Sequence, residues 1–145
     1  MNIIIIYATE SGTTGMVADH LQEWLESQNH LVTVYRLGVD GYNPDFLNCD
    51  LVIFGSPTYH SGQLQSEMQT YTSEFSGKLV NKNVAIFSLG DSHFPGFCGS
   101  AALLSEWVEE KKGHLLGTPL KIDGYPADFT SVDDWIKKIM HIMKK

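Results

Sequence analysis

Short apolar runs alternate with longer amphipathic stretches along this chain, and that order constrains its fold more than any other feature. The apolar runs predict strands over residues 3–8, 30–37, 50–56 and 82–90, with a short fifth strand within 118–124. The amphipathic stretches predict helices over residues 13–28, 65–75, 101–113 and 131–145. Strands that alternate with helices form a parallel sheet with helices on both faces. The sequence therefore predicts an α/β fold, a single doubly wound five-stranded parallel sheet, as one domain over residues 1–145.

The last predicted helix has the clearest end signals. Ser131 is its expected N-cap, because a serine hydroxyl accepts hydrogen bonds from the backbone N–H groups of a first turn. Asp133 and Asp134 follow in that turn, and Lys144 and Lys145 stand at the other end. These charges match the helix dipole at both ends.

The composition excludes several functional classes. Hydrophobic residues make up 43% and charged residues 19% of the 145-residue chain, as in globular rather than disordered proteins. No apolar stretch approaches the roughly 18–20 residues of a membrane span. The apolar run over residues 3–6 is too short for the core of a signal peptide. We therefore expect a cytoplasmic protein with its start intact and no membrane attachment.

Charge and cysteine content narrow the choice of partners. The net charge of −7 argues against a nucleic-acid partner, since phosphates require a basic face. An acidic surface permits a basic protein partner, or serves only to keep the protein in solution. Cys49 and Cys98 form no CxxC pair, so we expect reduced thiols. The six histidines show no metal-ligand spacing with these cysteines, so we expect no metal.

The first of three unusual loops reads TESGTT over residues 9–14 and joins the first strand to the first helix. In a doubly wound sheet, ligands bind outside the carboxyl ends of the strands. The N–H groups that begin the helix carry partial positive charge, and the loop adds hydroxyl donors and Gly12. It lacks the lysine of a Walker loop and the glycines of a GxGxxG loop. The pattern predicts a site for one phosphate monoester, and the other interpretation is an ordinary capped helix.

The second and third loops follow the third and fourth strands. Residues 55–62 read GSPTYHSG and place Tyr59 where it can stack on a planar ring or merely cover the core. Residues 88–99 read SLGDSHFPGFCG and offer backbone polar groups together with the aromatic ring of Phe94. A loop of that length is usually functional, although it can be a plain connection. A phosphate cradle, two aromatic walls and a polar backbone rim at one sheet edge together predict FMN.

These three loops resemble those of the flavodoxin family, and the resemblance covers essentially the whole chain. The family's phosphate loop, [ST]-x-[ST]-G-x-T, is matched over residues 9–14. Its G-x-x-T-[WY] stretch is matched over 55–59, and its G-D-x-x-[YF]-x-x-[FY]-C-G stretch over 90–99. The resemblance implies a flavodoxin-like sheet of strand order 2-1-3-4-5. The region of the fifth strand leaves no room for the insertion of long-chain members, so the chain looks like a short-chain flavodoxin.

The resemblance also implies a set of cofactor-binding residues and no catalytic ones. The first loop would hold the phosphate, Pro57 to Tyr59 would line one side of the flavin, and Phe94 would stack on the other. Asp91 and the backbone near Phe97 and Cys98 would meet the pyrimidine edge. The full set comprises Thr9, Glu10, Ser11, Gly12, Thr13, Thr14, Ser56, Pro57, Thr58, Tyr59, His60, Gly62, Leu89, Gly90, Asp91, Phe94, Phe97 and Cys98.

Two departures from the family pattern affect the expected redox behaviour. The outer stacking residue, often tyrosine, is Phe94 here, which keeps the ring face and loses the hydroxyl. Many members have glycine directly after the aromatic residue of the second loop, where the peptide turns towards the flavin. Here His60 and Ser61 precede Gly62, and a non-glycine residue restricts that turn. We therefore expect weaker stabilisation of the neutral semiquinone.

The resemblance implies a carrier that passes low-potential single electrons from a flavodoxin reductase to an acceptor enzyme, and a monomer. One alternative is an FMN-dependent quinone or flavin oxidoreductase, although two covering aromatic rings would obstruct a nicotinamide. Another is a flavodoxin dedicated to a single metalloenzyme, which the sequence does not separate from a general carrier. A receiver-type signalling domain is disfavoured, because the third strand ends in Phe54-Gly55-Ser56 without the phospho-accepting aspartate.

Overall fold

A parallel β-sheet between two layers of helices forms the centre of the computed structural model, which describes residues 1–59 and 62–144. The strands are β1 Asn2–Tyr7, β2 Leu31–Arg36, β3 Leu51–Pro57, β4 Asn83–Gly90, β5 His114–Leu115 and β6 Leu120–Asp123. The helices are α1 Thr13–Ser27, α2 Ser66–Glu74, α3 Gly99–Glu110 and α4 Thr130–Met143. The predicted elements are all present, with ends that differ from the prediction by at most three residues.

The sheet has the order β2-β1-β3-β4, and both β5 and β6 pair with β4 at the far edge. The predicted doubly wound order 2-1-3-4-5 is confirmed, with one correction, since two segments share the fifth position. The predicted fifth strand is β6, and β5 was not predicted. Between β5 and β6, the pairing with β4 is interrupted at Gly117, which has a φ of 61°, and at Pro119. A two-residue strand is too short to leave a periodic pattern in the sequence.

The two hydrophobic cores lie on opposite faces of the sheet because successive strand residues point in opposite directions. Ile3 and Ile5 of β1 belong to the core under α1 and α4, whereas Ile4 and Ile6 belong to the core under α2 and α3. All four side chains are at most 2% exposed. A fully buried side chain of this size contributes about 1.5–3 kcal/mol. Burial on both faces explains the unbroken apolar run in β1.

The start of α4 differs from the prediction. The helix begins at Thr130 with Phe129 at its N-cap, so the expected Ser131 cap is wrong. The carboxylate of Asp128 accepts a hydrogen bond from the Thr130 N–H at 2.9 Å. The N–H group of the first helical residue is therefore bound by Asp128, which precedes Ser131 in the chain.

A helix that crosses a bilayer needs about 20 consecutive, mostly apolar residues. None of the helices within residues 1–59 and 62–144 is long and apolar enough to cross a bilayer.

Candidate functional site

The carboxyl ends of the central strands open onto a cavity of about 350 Å³. Loops after β1, β3, β4 and β6 line it, so the sheet brings together four segments that are distant in sequence. The lining residues are Glu10, Ser11, Thr13, Thr14, Pro57, Thr58, Tyr59, Leu89, Gly90, Asp91, Phe94, Pro95, Gly96, Phe97, Cys98, Gly124 and Tyr125.

The N-terminus of α1 forms one end of this cavity. Gly12 is its N-cap residue, with a φ of 93° that favours glycine, and no side chain among the described residues caps the helix. The Gly12 N–H donates to Thr9 Oγ1 at 2.9 Å, which folds the loop back on itself. Ser11 Oγ and Thr13 Oγ1 lie 3.3 Å apart at the cavity wall. The first turn of α1 thus presents backbone N–H groups and hydroxyls to the cavity, an arrangement that suits an anion.

Buried hydroxyl groups anchor the second loop. The Thr58 N–H donates to the Leu89 carbonyl at 2.8 Å, and Thr58 Oγ1 donates to Ser100 Oγ at 2.9 Å. Ser100 Oγ also lies 2.6 Å from Ser88 Oγ and donates to the Ser56 carbonyl at 3.2 Å. Ser88 and Ser100 are fully buried. This cluster fixes the second loop to β4 and α3, and it was not predicted from the sequence.

Hydrogen bonds at both its backbone and its side chain hold Tyr59 at the cavity wall. Its backbone N–H donates to the Gln63 carbonyl at 2.8 Å, and its carbonyl accepts from the Gly62 N–H at 3.1 Å. Its phenol donates to Glu10 Oε1 at 2.5 Å. Tyr59 is therefore fixed at both its backbone and its side-chain end. His60, a predicted site residue, and Ser61 lie outside the described residues.

The third loop folds back over the end of β4. A Cβ atom on Gly90 would lie 2.8 Å from the Cys98 backbone nitrogen, so only glycine fits there. The Cys98 thiol is buried and lies 3.6 Å from the Ser88 carbonyl and 3.7 Å from the Ile122 carbonyl. Burial raises the pKa of this thiol, which makes it a packing group rather than a nucleophile. Phe94, by contrast, is 47% exposed at the cavity mouth.

Asp91 and His93 form a hydrogen-bonded pair in the outer part of the third loop. Asp91 Oδ1 accepts from the His93 backbone N–H at 2.9 Å and lies 2.7 Å from His93 Nδ1. These contacts, the backbone one first, lower the pKa of Asp91. The side-chain hydrogen bond to Asp91 and the charge of that carboxylate raise the pKa of His93, with a smaller contribution from Asp123.

We expect an NMR pH titration to give His93 a midpoint above the ordinary value of about 6.5. The pair's contribution to stability is complete below the ordinary histidine pKa and is lost as the pH rises through the raised one. It is also lost as the pH falls through the lowered pKa of Asp91. Asp91→Asn should return the midpoint towards about 6.5, and Asp123→Asn should shift it less. An unchanged midpoint in Asp91→Asn would contradict this assignment.

Two segments of the cavity wall were missed by the sequence analysis. Pro95 and Gly96 lie within the third loop, and Gly124 and Tyr125 follow β6. The Gly124 N–H donates to the Gly90 carbonyl at 2.7 Å, which draws the loop after β6 to the end of β4. Tyr125 is 66% exposed. In the sequence, the signal for the segment after β6 was Tyr125, an aromatic residue directly after the predicted fifth strand.

The sequence matches the family model described as flavodoxin over residues 5–135. The chain belongs to the flavodoxin family. It is 30% identical over 131 residues to a flavodoxin from Maridesulfovibrio salexigens, covering 85% of this chain and 86% of that protein.

Solved flavodoxin structures share the fold of this flavodoxin-family chain. Oxidised flavodoxin 2 from Bacillus cereus superposes with a TM-score of 0.88 at 27% identity, covering 98% of this chain and 99% of that one. A Fusobacterium nucleatum flavodoxin bound to flavin mononucleotide gives a TM-score of 0.78 at 20% identity. It covers 97% of this chain and 98% of the other.

Within this flavodoxin-family site, most of the predicted residues line the cavity, and a few take other places. Thr9 and Gly12 are not among the residues that line the cavity, and the hydrogen bond between them shapes the first loop. Ser56 is fully buried beneath the second loop, where its hydroxyl donates to the Pro57 carbonyl at 2.9 Å. Gly62 packs closely against Gly99. A Cβ atom added to Gly99 would lie 2.6 Å from the Gly62 carbonyl oxygen. Their roles towards a cofactor stay predictions.

Proposed function

We propose that this chain is an FMN-binding one-electron carrier that takes low-potential electrons from a flavodoxin reductase and passes them to an acceptor enzyme. We further propose that it acts as a single domain over residues 1–145, as a monomer in the cytoplasm, and that it is not itself an enzyme. The observation that carries the proposal is one cavity with aromatic walls along its length and, at one end, a helix N-terminus that has no side-chain cap among the described residues.

The first loop fits a phosphate monoester. Backbone N–H groups at the start of α1 and the hydroxyls of Ser11 and Thr13 supply donors. No lysine or arginine lines the cavity within the described part of the chain. Neutral donors and a helix dipole hold a single phosphate without the cation that a nucleotide triphosphate site requires.

The remaining walls fit a flat ring system. Tyr59, Phe94 and Tyr125 offer aromatic surfaces, and a cavity of about 350 Å³ lies within the usual range of about 300–1,000 Å³ for small-molecule sites. The backbone around Gly90 and Cys98 forms a polar rim near Asp91. Tyr59 and Phe94 would bind the faces of the ring, and the rim would bind its polar edge.

FMN, when bound, supplies the redox chemistry, and the protein positions the flavin and tunes its potential. Glu10 and Asp91 place negative charge at the cavity, so the site disfavours further negative charge inside it. This supports a low potential for the last reduction step. The net charge of −7 attracts a basic face on a reductase or an acceptor, which supports a role in transient electron-transfer complexes.

Anaerobic stepwise photoreduction of the purified protein with FMN, followed by visible spectroscopy, tests this function. We expect FMN to bind and to be reduced in two one-electron steps whose potentials lie close together, because His60 and Ser61 stand where many family members have glycine. Incubation with NADPH alone should leave the flavin oxidised, because an electron carrier depends on a separate reductase. Reduction in one two-electron step together with NADPH oxidation would instead support an FMN-dependent oxidoreductase. Failure to bind FMN would overturn the proposal.

A further inference from the structure

Glu10 places a negative charge in the loop that we propose to receive a phosphate. A carboxylate there repels a second anion, so binding of the phosphate does not explain why Glu10 is acidic. Within the described residues Glu10 has no basic partner, and its carboxylate instead accepts two hydrogen bonds from neutral groups. Tyr59 Oη donates to Glu10 Oε1 at 2.5 Å, and Gln65 Nε2 donates to the same oxygen at 3.1 Å.

The structure holds Gln65 so that its amide nitrogen faces Glu10. Gln65 is 1% exposed and is the N-cap residue of α2. Its Oε1 accepts from the backbone N–H groups of Glu67 at 2.8 Å and Met68 at 3.1 Å. Since the amide oxygen is bound to the helix, Nε2 is the group left to donate to carboxylates. Glu10 is thus joined through Gln65 to the start of α2.

The phenol of Tyr59 is held by the same cluster. Its oxygen lies 3.3 Å from Ser66 Oγ, in the first turn of α2, in addition to its contact with Glu10. Because the phenol donates to Glu10 and the Ser66 hydroxyl donates to Glu67 Oε2 at 3.1 Å, the approach of Ser66 to the phenol is a packing contact rather than a second hydrogen bond. The Tyr59 ring is consequently held between its own backbone hydrogen bonds and a carboxylate 49 residues away in sequence.

We propose that Glu10 is a positioning residue, which holds the Tyr59 ring as a ready-made wall of the cavity and joins the phosphate loop to α2. A hydrogen bond to a carboxylate is stronger than one between neutral groups. A wall already held in place lowers the ordering cost of ligand binding. The part of this inference that concerns a flavin rests on the proposed function, whereas the contact between Glu10 and Tyr59 does not.

Glu10 therefore has opposite effects on the two ends of an FMN molecule. It favours binding of the ring through Tyr59 and disfavours binding of the phosphate through charge repulsion. Riboflavin contains the ring without the phosphate, so it separates the two effects. Glu10→Gln should weaken riboflavin binding about fivefold, because the neutral amide oxygen accepts a weaker hydrogen bond than the carboxylate. FMN binding should weaken less, so the preference for FMN over riboflavin should rise.

Glu67→Gln is the matched control, because it removes a carboxylate from the same cluster without touching Tyr59. Glu67 Oε2 contacts Gln65 Nε2 and accepts from Ser66 Oγ at 3.1 Å. Its affinity for riboflavin should stay within twofold of the unchanged protein. Tyr59→Phe keeps the ring and removes the phenol, and in that background Glu10→Gln should have no further effect on riboflavin binding.

A measurement on the flavin-free protein separates this inference from the proposed function. With ¹³C-labelled tyrosine, the Cζ resonance of Tyr59 should shift in Glu10→Gln and stay in place in Glu67→Gln. This test remains valid if no flavin binds. An unchanged Tyr59 resonance in Glu10→Gln would overturn the positioning role. So would unchanged riboflavin affinity, or effects of Glu10→Gln and Tyr59→Phe that simply add.

Discussion

Replacing Phe54 by alanine is expected to lower the free energy of unfolding by about 3–5 kcal/mol. Phe54 lies in β3 and is 0% exposed. Its ring meets the edge of Trp107 with centroids 5.5 Å apart and packs against Tyr71 at 6.0 Å. Alanine would leave a cavity in the middle of the core under α2 and α3, and these large neighbours cannot close it without breaking their own contacts.

Urea unfolding of the flavin-free protein measures this effect, because a bound ligand would add its own stabilisation. The midpoint should fall while the slope of the unfolding free energy against urea stays the same. Leu47→Ala is the control, since Leu47 is 75% exposed and its loss should change stability by about 0.5 kcal/mol or less. A small effect at Phe54 would mean that the core can repack around the missing ring.

FMN is expected to bind about 100-fold more tightly than riboflavin, which lacks the phosphate. Hydrogen bonds to a charged group contribute about 1.5–3 kcal/mol each, and two of them at the lower end of this range account for a difference of about 100-fold. The donors are the backbone N–H groups in the first turn of α1, which has no side-chain cap within the described part of the chain, and the hydroxyls beside them. Titrations of the flavin-free protein with each ligand, followed by flavin fluorescence, measure the ratio.

A matched pair of variants tests where the phosphate binds. Thr13→Asp would place a carboxylate at the start of α1, where it would occupy the favourable end of the helix dipole and repel a phosphate. Thr13→Asn has nearly the same shape without the charge. We expect Thr13→Asp to lower the preference for FMN to about tenfold or less, with riboflavin affinity nearly unchanged. Equal binding of FMN and riboflavin by the unchanged protein would place the phosphate away from α1.

The sequence by itself predicted the arrangement of the sheet and most of the cavity wall. Residues buried on both faces leave an unbroken apolar run, as in β1, and amphipathic helices leave a repeat of three or four residues, as in α1. Because parallel strands share one carboxyl edge, unusual loops after β1, β3 and β4 had to meet. These features are local in the chain, so a pattern of residue types reveals them.

Only the tertiary structure decided which distant side chains meet. The contact of Glu10 with Tyr59, the buried hydroxyls of Ser88 and Ser100, and the return of Tyr125 to the cavity join segments that are far apart in sequence. The brief pairing of β5 and the early start of α4 likewise depend on neighbours rather than on periodicity. Periodicity reports whether a residue faces the core, whereas the partner of a polar group depends on how the loops pack once the sheet has formed.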